Sequence, residues 1–195
     1  MIDASTIFSQ PPILIAGGTL LLVFAALAAF DGVVLHLLWF RLHARTESYS
    51  EHLWHTASAV LFVPVVAGLF APNAGGAMLW LGVAALLVTH VVEVFDMRAE
   101  KDSRRSLGGV GRGEFAVHVA AVTTRTGAVA AFLWSRPLAA WSLSFDPEAS
   151  AGVTGLELLH SGLLWGAVGI AALHLALALT HCPRCPGWRS CCATA

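Results

Sequence analysis

Charge is what this chain has least of. Asp, Glu, Lys and Arg make up only 12% of its 195 residues, about half the share carried by a soluble domain. That scarcity, beside 57% hydrophobic residues, argues against a water-soluble globular fold. Cysteine is absent before position 182, so no disulfide framework staples the body of the chain. An excess of one sign is also missing. A net charge of −1 gives nucleic acid no electrostatic footing as a partner. Met1-Ile2-Asp3 lacks the basic region that opens a cleavable signal peptide, so the first hydrophobic stretch is expected to stay.

What is present is a set of long apolar runs. Five are long enough to cross a bilayer as helices, near residues 12–40, 51–71, 77–97, 114–135 and 155–181. The expectation is an all-α integral membrane bundle formed by residues 1–181, followed by a Cys-rich tail at 182–195. Ala71-Pro72-Asn73 and Gly108-Gly109-Val110-Gly111 punctuate the runs. Pro64 is placed to kink the second helix. Ser48 and Glu51 have the spacing of a capping box at its start.

Basic residues orient the bundle. Arg41 and Arg45 lie between the first two runs, and Arg98, Lys101, Arg104, Arg105 and Arg112 lie around the third connection. Arg184 and Arg189 lie in the tail, and Arg136 alone falls on the opposite side. The N-terminus is therefore expected outside, with both charged loops and the C-terminus in the cytoplasm of a bacterial inner membrane. The basic, glycine-rich loop at 103–113 reads as a contact for anionic lipid headgroups or as a lid. Trp141 reads as an anchor at the outer interface.

Against this background, ionisable side chains within the apolar runs carry the functional signal, because charge within a bilayer is costly. Helices alternate in direction, so depth follows from a rise of about 1.5 Å per residue. On that scale His36, His52, His55, His90, Glu93, Asp96, Glu114, His118 and His174 converge near the cytoplasmic face. Glu51/His55 and Glu114/His118 are four residues apart, and His90/Glu93 three, so each pair shares a helix face.

Carboxylates and imidazoles from facing helices are how bundles hold two metal ions. The expected ligands are His36, His55, His90, Glu93, Glu114 and His118, with His52 and Asp96 as ligands or their supports. Nitrogen and oxygen donors suit iron, manganese or zinc. The leading expectation is a membrane non-haem diiron oxidase or oxygenase acting on a lipid-soluble substrate, with a partner subunit as electron donor.

A second expectation is b-type haem held by histidine pairs. In helix count and orientation the chain resembles the small b-haem subunits of respiratory complexes such as nitrate reductase, which implies an electron-transfer role. A third is a metal or proton transporter. Asp31 and Arg125, placed at similar mid-membrane depth, would then serve as steps of a proton path; otherwise they form an ion pair. The His boxes of membrane hydroxylases and desaturases are matched only by His52-Leu53-Trp54-His55, so no family is assigned. The tail, with Cys182, Cys185, Cys191 and Cys192, reads as a second site for zinc or iron.

Overall fold

The structure, a computed structural model, describes residues 11–146 and 154–180; the cysteine tail lies outside the described residues. Every regular element among them is helical. Helix α1 covers Pro12–Ala29 and continues as a π-helical run, Phe30–Trp39. Helix α2 covers Tyr49–Val65 and ends in a second π-helical stretch, Val66–Phe70. Helices α3 (Gly76–Ser103), α4 (Arg112–Trp134) and α5 (Thr154–Thr180) complete the bundle. All five are long and apolar enough to cross a membrane, and at most a third of the strongest apolar window of each is buried inside the fold. Large apolar side chains such as Leu38, Trp39, Leu87, Trp134 and Trp165 point outward. A helix apolar on all sides needs an apolar surrounding.

Local chemistry accounts for the breaks. Pro64 removes a backbone donor within α2, and the hydrogen-bond ladder widens into the π-helical stretch just after it. Helix α1 ends where Phe40 donates its amide to the Leu35 carbonyl and Arg41 turns left-handed at φ 53°. Ser48 stands at the N-cap of α2 but makes no side-chain cap hydrogen bond. The expected capping box is not formed, because Glu51 turns to Arg104 instead. Helix α3 runs six residues past its expected end at 97, through Ser103.

Helix α2 is the hub. It packs against α3 and α5, and its π-helical end also meets α4. Helix α4 lies along α1. Gly68 and Gly82 let α2 and α3 touch backbone to backbone, since a Cβ added at Gly68 would fall 2.7 Å from Gly82 Cα.

The bundle has two halves of opposite character. The half nearer the α2–α3 turn holds the apolar core, with Leu21, Phe24, Val65, Val66, Leu69, Phe70, Leu79 and Phe132. There Arg136 donates to the carbonyls of Leu69, Ala71 and Pro72 and so closes the end of α2. Burial pushes its pKa down to about 10, which leaves it charged at neutral pH. The half nearer the charged loops holds the polar groups.

Candidate metal centre

His36 is the middle of the polar half. It sits on the π-helical run of α1 and is 1% exposed. Its ring lies 4.3 Å from that of His55 on α2 and 5.7 Å from that of His118 on α4, centroid to centroid. Its Nε2 is 3.6 Å from Asp31 Oδ1 and 3.5 Å from Glu114 Oε1. His118 Nε2 is 3.1 Å from the same Asp31 oxygen. Neither ring nitrogen of His36 has a hydrogen-bond partner. A buried imidazole without one is costly, and a metal ion is one remedy.

The spacing fits an ion. Two ligand atoms each about 2.1 Å from one metal lie roughly 3.0–3.4 Å apart at octahedral or tetrahedral angles. Two overlapping groups, Asp31, His36 and His55, and His36, Glu114 and His118, bring their donor atoms within 4.8 Å of one another, so a bound ion would draw them closer. Each lateral histidine has a carboxylate behind it. His55 Nδ1 lies 2.9 Å from Asp96 Oδ1, and His118 Nδ1 lies 3.6 Å from Glu100 Oε1. A carboxylate hydrogen-bonded to one ring nitrogen orients the other toward a metal, as Asp96 does for His55, whereas Glu100 stands at ion-pair distance from His118.

Arg104 closes this arrangement from the loop side. Its side chain is buried, with NH1 donating to Glu51 Oε2 at 3.0 Å and NH2 to Glu114 Oε1 at 2.5 Å. Its guanidinium lies 4.7 Å from the Phe40 ring centroid. Burial works against its charge, but the hydrogen bond to Glu114 and the pull of Glu51, Glu114 and Glu100 outweigh burial and raise its pKa above the ordinary value.

The remaining expected residues are placed differently. His90 is exposed on the flank of α3, where its Nδ1–H donates to the Leu86 carbonyl at 2.7 Å. It stands about 100° around the helix from its buried neighbour Thr89, so it cannot reach the cluster with the other residues of its helix. Glu93 meets the guanidinium of Arg125 with both carboxylate oxygens, one contact at 2.9 Å. The ion pair expected between Asp31 and Arg125 is therefore not formed: Asp31 belongs to the histidine cluster and Arg125 to Glu93. His52 stacks on His174 of α5 at 5.3 Å, with His43 6.0 Å further along. Helices α3 and α4 barely touch along their lengths; Glu93–Arg125 and Glu100–His118 bridge the gap.

Two contributors, Glu100 and Arg104, are not singled out as site residues by the sequence, and a third, Asp31, is named there only as a mid-membrane partner of Arg125. Asp31 was placed too deep, since a π-helical run is invisible to α-helical depth counting. Glu100 and Arg104 were read as loop, although Glu93, Asp96, Glu100 and Arg104 follow at 3, 4 and 4 residues, the spacing of one helix face. Compared with protein-family models, curated proteins and solved structures, the chain has no significant match.

Proposed function

We propose that this chain is an integral membrane oxidoreductase that holds two metal ions, best suited to iron, within its polar half. The five helices span a bacterial cytoplasmic membrane with the N-terminus outside and the charged loops in the cytoplasm. The single observation behind the reading is His36, a buried imidazole with no hydrogen-bond partner, ringed by Asp31, His55, Glu114 and His118.

Charge is compatible with bound cations. Among the described residues, Asp31, Glu51, Asp96, Glu100 and Glu114 surround the cluster, and Arg104 is the guanidinium bonded into it. An excess of acid in a membrane-spanning half is costly; divalent cations would offset it, as would protons on His55 and His118. The oxygen and nitrogen donors suit iron or manganese.

Bound iron would supply one-electron chemistry with dioxygen at a point reached from the inner leaflet. The chain's own groups do the rest. Asp96 orients His55, Glu100 stands behind His118, and Arg104 holds Glu114. Electrons come from a partner subunit. The other two readings draw less support. The His52 and His174 rings are stacked face to face, with an interplanar angle of 21°, whereas haem ligands point their nitrogens at one iron from opposite sides. A path outward beyond Arg125 runs into Val65, Leu69, Phe70 and Phe132.

The test is the absorbance spectrum and metal content of the protein purified in mild detergent. About two iron or manganese ions per chain without a haem band, lost in a His36→Ala and His118→Ala double variant, is the expected result. A haem spectrum, or a metal-free protein, overturns the reading.

A further inference from the structure

We propose that Glu51 and Glu114 form the entry site through which a divalent metal ion reaches the centre, with Arg104 as a tethered cation that keeps the place until the ion arrives. The inference rests on the metal-centre reading and adds a route to it. Arg104 is buried, yet it belongs to the link that follows α3, and residues 105–113 beyond it are exposed. Gly108 and Gly109, at φ 83° and 94°, have nothing within 4 Å of where a Cβ would stand; nor do Gly111 and Gly113. The buried Arg104 side chain, with Ser106 bonded to Glu47, thus pins a glycine-rich, exposed loop across the end of the bundle.

The guanidinium occupies a cation's position. It bonds Glu51 Oε2 and Glu114 Oε1, while the opposite oxygens, Glu51 Oε1 and Glu114 Oε2, are buried without hydrogen-bond partners. Glu51 is 0% exposed, and Glu114 Oε1 lies 3.5 Å from His36 Nε2. Glu114 is therefore shared between the guanidinium and the centre. An ion that takes over the two carboxylates is already one ligand from His36, and the displaced Arg104 swings out with its loop. On the water side, a cleft of about 300 Å³ lined by Glu47, Asp102, Arg105 and Ser106 flanks the same loop. Ser106 Oγ donates to Glu47 across that cleft.

The experiment times cobalt(II) uptake by the full chain in detergent, following the metal's d–d absorbance. The background replaces the four tail cysteines with serine, so that bound cobalt is the centre's. Glu47→Cys with Ser106→Cys, joined by a short bis-methanethiosulfonate whose disulfides reopen on reduction, then locks the loop. Uptake is expected to slow at least tenfold when the lock is oxidised and to recover on reduction. Arg104→Ala is expected to load at least tenfold faster than its parent, and Glu51→Gln at least tenfold slower. Oxidised and reduced locks loading at equal rates, or Glu51→Gln loading at the parent's rate, overturns the entry route and leaves the centre standing. A parent chain that binds no cobalt overturns both.

Discussion

Asp31 and His36 are five residues apart, and a π-helical turn stacks them on one face with 3.6 Å between carboxylate and imidazole. On an α-helix the same two positions diverge by about 140° around the axis. In the π-helical run each backbone amide reaches the fifth residue back, so residues five apart become vertical neighbours. Inserting one alanine between Val33 and Val34 is expected to separate the pair and abolish metal binding. Deleting Val34 leaves a four-residue spacing that an α-helix also stacks, and at least half of the metal is expected to remain. Metal content per chain, measured on both proteins, decides it.

His36 and His90 make a contrasting pair. Both were readable as ligands, but one is buried among acids and the other faces outward. His36→Ala is expected to weaken metal binding at least 100-fold, and His90→Ala to change it less than twofold. Titration with a competing chelator measures both, and equal losses would contradict the placement of His36 at the centre.

On the proposed reading, the carboxylates behind the histidines would act on a bound metal ion without touching it. Asp96→Asn and Glu100→Gln keep side-chain size while removing the charge behind His55 and His118. Each is expected to cost about 10- to 100-fold in metal affinity with the helical circular dichroism unchanged. Affinities within twofold of the parent would mean that these acids serve only as neighbours.

Glu93 and Arg125 bridge α3 and α4 at the border of the apolar core, where Arg125 also lies 5.9 Å from the Phe24 ring centroid. Removing one partner strands the other. Glu93→Gln is expected to destabilise the protein by about 3 kcal/mol, read from reversible unfolding in mixed micelles. The double replacement Glu93→Leu with Arg125→Met is expected to recover most of that loss, because apolar side chains of similar volume need no pairing in this layer. A double variant worse than the single would assign the pair a role beyond charge compensation.

Much of the bundle was legible in the composition. Backbone polar groups in an apolar medium are satisfied within helices or closed barrels, and continuous apolar runs of about 20 residues, rather than alternating ones, select helices. The spacing of apolar runs therefore located all five helices, and the unusual density of histidine and acid located the polar half. Pro64 marked where α2 changes its winding. These are properties of single segments, set by local hydrogen bonding and solvent preference, and they survive without knowledge of neighbours.

The partners were decided only by the tertiary structure. Whether Glu93 meets a metal or Arg125, whether Glu51 caps its own helix or binds Arg104, and whether Asp31 joins His36 each depend on how the helices are rotated and wound. A rotation of one residue, about 100°, exchanges a ligand such as those around His36 for an outward side chain such as His90. The packing that sets it comes from contacts far apart in sequence, Gly68 on Gly82 and α4 along α1 among them. Hydropathy carries no angular information sharp enough to choose among those partners, whereas a close-packed bundle admits only one.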